Sequence, residues 1–273
     1  MAACLAVLRR TSALEPRVAV VLGSGLGQVA DRIDTSRGGA VFPTAELPHW
    51  PVSTVPGHEG RLVVGHWGDT PVAVLRGRTH VYEGYALDVV TFPHRVLCAL
   101  GAATLLVTNA VGTFNPGFAP GELMLVRDHV NGIGTRGLLT AEEIAAGHAL
   151  AGGFARPAAF YTPEIAQVLR EVARELRIPL REGVLMGGRG PAYETASEIR
   201  MARYLGADAA CMSSVHEIAL AAALGLRTGA VSCITNYGTG LSPHPLTHDE
   251  VNEVAARAAG NLESLLAGAV ARL

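Results

Sequence analysis

The sequence sets polar side chains at the ends of apolar runs, where an anion could be held. In VAVVLGSGLGQVADRI, residues 18–33, an apolar run ends in Gly23-Ser24-Gly25-Leu26-Gly27 and a helical pattern follows. Glycines permit a tight turn, and a helix start, here predicted over 25–33, aims free N–H groups at whatever sits there. Ser24 adds a hydroxyl. A dinucleotide site needs G-x-G-x-x-G and an acidic residue ending a second strand about 20 residues on. The spacing here is G-x-G-x-G, and the following region, TAELPHWPVS, has Pro48 and Pro51 where that strand would run. The stretch suits a single phosphate better than a dinucleotide.

Further stretches add complementary groups. In RGRTHVYEGY, Arg78, His80 and Tyr82 alternate, so in an extended segment they project the same way. Arg grips phosphate with a bidentate fork, His can donate to it, and Tyr offers a ring and a hydroxyl. Glu83 can orient or charge His80. In CMSSVHEIALAAAL a strand enters a helix; Ser214 and Glu217 fit the S-x-x-E capping box, which leaves Ser213 at an anion-friendly helix mouth. His216 reads as a first-turn surface residue. In GPAYETASEIR, Thr195 and Glu198 form another capping box, leaving Glu194 free in a Gly/Pro turn. CITNYGTG ends a strand at Asn236, and Thr247-x-x-Glu250 caps a last helix with His248 in its first turn.

Composition narrows the chemistry. The chain has 273 residues, a formal charge of −2 and no lysine; all 22 of its basic residues are arginine. A Walker-type phosphate loop and a Schiff-base enzyme both need that missing amine. The near-neutral balance gives no reason to expect nucleic acid or an anionic membrane. Cys4, Cys98, Cys211 and Cys233 are scattered without a C-x-x-C pair, which suits reduced thiols in a cytoplasmic protein rather than a disulfide frame or zinc site. No apolar stretch approaches the ~20 residues of a membrane span. MAACLAVLRR carries its charges after its apolar part, the wrong order for a signal peptide.

The elements that must position these groups follow from periodicity. Strands are predicted at 17–22, 61–67, 70–76, 104–108, 121–127, 182–187, 208–212 and 227–234, with a hairpin at Gly68-Asp69. Helices are predicted at 2–13, 25–33, 86–100, 163–176, 195–205, 215–224 and 248–271. Residues 109–121 and 131–160 read as Gly-rich loops. The mixture indicates an α/β protein, a single domain over 1–273 with a mixed, largely buried central β-sheet flanked by helices. Sites in such sheets form from loops at the carboxyl ends of strands.

Taken together, GSGLG, PGHEGRL, RGRTHVYEGY, VTNAVGTFNPGFAPGELMLVRDHVN, GPAYET, GADAACMSSVHE, ITN and LTHDEV run in one order over nearly the whole chain. In this the sequence resembles the trimeric purine nucleoside phosphorylase family, which also includes 5′-methylthioadenosine phosphorylase. The resemblance implies reversible phosphorolysis of purine nucleosides in purine salvage, by a cytoplasmic homotrimer without metal or organic cofactor, with inorganic phosphate as co-substrate. It implies that Ser24, Arg78, His80, Ser213 and the backbone at Ala110 bind phosphate, with His58 on a mobile loop nearby. It implies that Tyr193, Glu194 and Asn236 hold the purine, while Tyr82, Met212 and His248 hold the ribose. Asn236, Glu194 and His80 would carry the catalysis. Asn236 would donate to N7 or O6 and Glu194 accept from N1–H, which favours inosine and guanosine.

Two departures from the family pattern stand out. GIGTRGLLTAEEIAAGHALAGG replaces an Asn/Pro-rich loop between Asn131 and Tyr161. A Phe from this region closes a neighbour's site in the family, a place that Phe154 fits best and Phe160 also fits. His216 stands where the family commonly has Pro. Rival readings are a methylthioadenosine or adenosine phosphorylase, opposed by Asn236 and His248, and a nucleoside-binding protein without turnover. An NAD-dependent oxidoreductase is opposed by the glycine spacing.

Overall fold

The computed structural model describes residues 1–58, 60–148, 160–242 and 248–273. Its centre is a sheet in which nine strands are described: β1 (Val18–Leu22), β2 (Ala40–Pro43), β3 (Arg61–Trp67), β4 (Thr70–Arg76), β5 (Thr104–Thr113), β6 (Leu123–Asn131), β7 (Leu180–Gly187), β8 (Ala209–Cys211) and β9 (Arg227–Tyr237). The strand order is β2-β3-β4-β1-β5-β8-β7-β6-β9, and β9 also pairs with β5. The last five strands therefore close on themselves, while the first four extend from β5 as an open wing. The sheet is mixed: β1 runs parallel to β4 and β5, whereas β3 and β4 form the antiparallel hairpin turned by Gly68 and Asp69.

Helices α1 (Ala2–Thr11), α2 (Leu87–Val90), α3 (Phe92–Ala99), α4 (Ala141–Ala145), α5 (Pro163–Glu175), α6 (Ala196–Tyr204), α7 (Val215–Ala223) and α8 (His248–Val270) cover the sheet. The strand period of two decides which face each side chain meets. Along β1, Ala19 and Val21 join a core with Leu8 of α1, Val96 of α3 and Ile218 of α7. Val18, Val20 and Leu22 turn the other way, onto Leu169 of α5 and Leu262 and Leu265 of α8. All five residues of β1 are buried, as expected for a strand covered on both faces.

Three local expectations change. The helical pattern at 25–33 folds as a 3-10 turn, Gly27–Arg32, and not an α-helix, so no long helix dipole faces the Ser24 loop. Leu26, Val29, Ala30 and Ile33 are buried at helical spacing, but the chain straightens at Ile33 so that Asp34 can bridge to His66. The segment 86–100 divides at Thr91 into α2 and α3, with Pro93 in the first turn of the second. The short strand β2 has no counterpart among the predicted elements, and helix α4 falls within the predicted 131–160 loop.

β5 and β9 carry the most consequence for the site. They run parallel from Thr104 opposite Arg227 to Thr113 opposite Tyr237, both longer than predicted. The register shifts after Val111, which faces Ile234, so that Gly112 faces Asn236 and Thr235 is the extra residue of a bulge. A bulge bends a strand and re-aims its side chains. The carboxyl ends of β1, β4, β5 and β9 gather on one edge of this parallel set, the place where α/β sheets bind ligands.

Candidate active site

At that edge lies a cavity of about 490 Å³. Its lining brings together Ser24, His58, Arg78, His80, Tyr82, Ala110, Tyr193, Glu194, Met212, Ser213 and Asn236, which the sequence singled out from seven separate stretches. His248 opens α8, but its side chain lies outside the described residues, as does Phe154. Phe160 is described, and its ring lies 5.0 Å from that of His129.

One end of the cavity gathers groups able to donate to an anion. At Gly23 a Cβ would lie 2.7 Å from the Asn109 Cα, so only glycine lets the Ser24 loop approach β5 this closely. The Gly23 N–H donates to Thr108 Oγ1 at 3.2 Å. The Arg78 N–H donates to His58 Nδ1 at 2.7 Å. The neutral imidazole then carries its proton on Nε2, which lies 2.9 Å from Ser24 Oγ and donates to it. Burial, with His80 and Arg78 close by, pushes His58 down to about 3, so the ring is neutral at physiological pH. Because Ser24 Oγ accepts from His58, its own proton is left for a ligand.

Arg78 is buried, and most of its guanidinium is already engaged. Nη1 donates to Ser213 Oγ at 3.0 Å and Ser214 Oγ at 3.1 Å, and lies 3.1 Å from Glu217 Oε2. Nη2 donates to the carbonyls of Thr108 and Val21. Nε is left without a partner among the described residues. The serines reach Nη1 through a γ-turn: Ser214 has φ 64 and ψ −47, and the Val215 N–H donates to the Ser213 carbonyl at 2.7 Å. Positive φ at a non-glycine residue is strained, and such strain gathers at functional sites.

The expected capping box at Ser214 and Glu217 is absent. Ser214 makes no side-chain cap, and Glu217 is fully buried against Arg78. His216, expected on the surface, is fully buried, with neither ring nitrogen hydrogen-bonded among the described residues. Helix α7 is covered all round, as its apolar sequence VHEIALAAA allows.

His80 is fixed by Glu83. Its Nδ1–H donates to Glu83 Oε1 at 3.2 Å and its backbone N–H to the same oxygen at 2.6 Å. Glu83 Oε2 accepts from the Thr54 N–H at 2.5 Å and the Thr54 hydroxyl at 2.9 Å. Burial works against this carboxylate, but the bonds from His80 and Thr54 hold it down to about 2. His80 is thereby left with Nε2 for a ligand, and its ring stacks on Tyr82 at 4.7 Å. Thr54 lines the cavity and was not found from the sequence; its link to Glu83 spans 29 residues and leaves no local signal.

The other end presents a carboxylate and an amide. Burial raises Glu194 above the usual carboxylate range. Asn236 Oδ1 accepts from the Thr235 hydroxyl at 2.8 Å, and Nδ2 donates to the Tyr237 carbonyl at 2.9 Å. One amide N–H remains for a ligand. Tyr193 stands half-exposed beside them. Between the two ends, Met212 and Tyr82 press on the backbone at Gly190, where a Cβ would lie 2.5 Å from Met212 Sδ and 2.8 Å from the Tyr82 ring. Among the described residues no group of three or more His, Cys, Asp or Glu side chains is arranged to hold a metal ion, and no helix is long and apolar enough to cross a membrane.

Residues 17–271 match the family model described as the phosphorylase superfamily. The chain is 43% identical over 242 residues to purine nucleoside phosphorylase 1 of Geobacillus stearothermophilus, covering 89% of this chain and 86% of that one. It superposes on the crystal structure of Schistosoma mansoni purine nucleoside phosphorylase in complex with adenosine with a TM-score of 0.87 at 28% identity, covering 99% of this chain and 95% of that one. A schistosoma purine nucleoside phosphorylase in complex with hypoxanthine gives a TM-score of 0.84 at 27% identity, covering 100% and 96%.

Proposed function

The chain belongs to the phosphorylase superfamily and, within it, to the purine nucleoside phosphorylases, enzymes that transfer a pentosyl group from a purine to phosphate; from that premise we propose a preference for 6-oxopurine nucleosides and a role for each side chain of the cavity. Inosine and guanosine, with their deoxy forms, are the proposed substrates, in purine salvage in the cytoplasm. The observation that carries the proposal is the pairing, in one cavity, of a hydroxyl-and-guanidinium end with a carboxylate-and-amide end.

Phosphate is assigned to Ser24, Arg78, His80, Ser213 and the Ala110 N–H. The His58-to-Ser24 hydrogen bond supports this, because it turns the Ser24 proton toward the ligand. The purine is assigned to Tyr193, Glu194 and Asn236. The ribose lies between, on Tyr82 and Met212, with His248 assigned to its 5′-hydroxyl. As the glycosidic bond stretches, the sugar gains oxocarbenium character. Phosphate on the far face stabilises that charge and then captures the sugar carbon. The leaving purine gains negative charge, and the free N–H of Asn236 donates to N7 or O6 while Glu194 accepts from N1–H. These steps draw on inorganic phosphate alone, as co-substrate.

We further propose a homotrimer, with a phenylalanine of the 131–160 segment, Phe154 by the sequence count, reaching a neighbour's cavity. The functional reading is tested by incubating the enzyme with inosine, with and without phosphate. Hypoxanthine and ribose 1-phosphate are expected only when phosphate is present. Release of base without phosphate would indicate a hydrolase, and no release a binding protein.

A further inference from the structure

Glu217 lies outside the roles assigned above, yet its carboxylate is fully buried beside Arg78. It is 0% exposed. Its Oε2 lies 3.1 Å from Arg78 Nη1 and its Oε1 3.4 Å from His94 Nε2, and neither oxygen makes a well-formed hydrogen bond to a described residue. Burying an ionised carboxylate with so few partners is expensive, and a buried ion pair is rarely kept for stability alone. The same glutamate could have capped α7 at the surface, as its S-x-x-E spacing allows. It is drawn inward instead, to a guanidinium more than a hundred residues away in sequence.

The surroundings explain what it holds. Nη1 of Arg78 meets Glu217 and the hydroxyls of Ser213 and Ser214, while Nη2 meets two strand-end carbonyls. With both terminal nitrogens occupied, the guanidinium plane is fixed and Nε is the donor left over. His94 of α3 sets its Nε2 3.4 Å from the second carboxylate oxygen. Burial opposes the charge on Glu217, but Arg78 and His94 outweigh it and keep the carboxyl well below its usual range. The adjacent His216 is pushed down to about 4 by burial and so adds no charge of its own near neutral pH.

We propose that Glu217 is a positioning residue for the phosphate step: its carboxylate fixes the Arg78 guanidinium for phosphate, and His94 fixes the carboxylate. This role rests on the assignment of phosphate to the Ser24–Arg78 end of the cavity. The test is steady-state kinetics with phosphate and inosine varied separately. In Glu217→Gln the phosphate KM should rise on the order of tenfold, the scale of one lost charge-assisted contact, while the inosine KM barely moves. Glu217→Asp, which keeps the charge but withdraws it, should fall between. In an Arg78→Met background, Glu217→Gln should add nothing further to the phosphate KM. His94→Gln, which leaves the ion pair in place, should show the same split more weakly, and it keeps the test open if Glu217→Gln does not fold. An unchanged phosphate KM in the folded variants, or an equal rise in the Arg78→Met background, would overturn the role of Glu217. Base release by the wild type without phosphate would overturn the phosphate assignment itself.

Discussion

Gly112 stands opposite Asn236 where β5 and β9 change register, and a Cβ built on Gly112 would lie 2.8 Å from Asn236 Nδ2. The bulge at Thr235 aims the amide into the cavity, and the missing side chain at Gly112 leaves it room. Gly112→Ala meets the end of a flexible side chain rather than backbone, so the fold should survive with a small change in Tm. The displaced amide should lower kcat/KM for inosine by roughly ten- to hundredfold, the penalty of about 1 Å of misplacement. Thermal melts run beside steady-state assays check this, and an unchanged kcat/KM would show that Asn236 does not hold the purine.

Asn236→Asp should shift base choice. In the wild type, Nδ2 donates to the Tyr237 carbonyl at 2.9 Å. A carboxylate oxygen in that place would face the carbonyl, which favours the protonated acid. With that proton on the Tyr237 carbonyl, the other oxygen can accept from a 6-amino group. The ratio of kcat/KM for inosine over adenosine should therefore fall. A ratio equal to the wild type's would remove Asn236 from base selection.

We propose that His58 acts on phosphate through Ser24 Oγ, to which its Nε2 donates at 2.9 Å. His58→Ala should raise the phosphate KM by about two- to tenfold, the scale of one neutral hydrogen bond. In a Ser24→Ala background the same change should cost much less, because the hydroxyl that His58 orients is gone. Additive losses would mean that His58 contacts the anion independently.

Glu83 ties the Thr54 loop to His80, and its depressed pKa makes that tie depend on pH. A carboxylate held at about 2 against an ordinary 4.5 stabilises the fold above about 4.5 and loses that contribution as pH falls toward 2. Urea denaturation of the wild type and Glu83→Gln at several pH values should show a gap near neutrality that narrows below about 4.5. A gap that stays constant down to the acid limit of folding would contradict the role given to the ionised carboxylate.

What the sequence made legible, and what it hid, divides along the range of the interactions. The strands β1, β3 and β4 read correctly because their apolar runs are covered on both faces, and Thr195 caps α6 in the predicted box because that motif closes within four residues. The box Thr140-x-x-Glu143 at α4 obeys the same rule and could have been found the same way. Ser214 and Glu217 show the identical local pattern and do not cap, because Arg78 offers the carboxylate a partner that no local window contains. Ser24, Arg78, Glu194 and Asn236, which line the cavity, are legible because each ends a strand or opens a loop. Thr54 and His94 were missed because their partners are distant in the chain. β2 was missed because AVFP is short, ends in proline and runs at the sheet edge.

The central claim is phosphate-dependent cleavage chosen by the 6-position of the purine. It is tested most directly by measuring kcat/KM for inosine and for adenosine with one enzyme preparation at saturating phosphate, each with a phosphate-free control. A 6-oxopurine matches the donor of Asn236 and the acceptor of Glu194, whereas a 6-aminopurine leaves both unpaired. A site built for one pattern can reject the other by up to ~10⁴-fold. The expected result is cleavage of inosine far above adenosine, with neither cleaved when phosphate is absent. Equal cleavage of adenosine, or cleavage of inosine without phosphate, would contradict it.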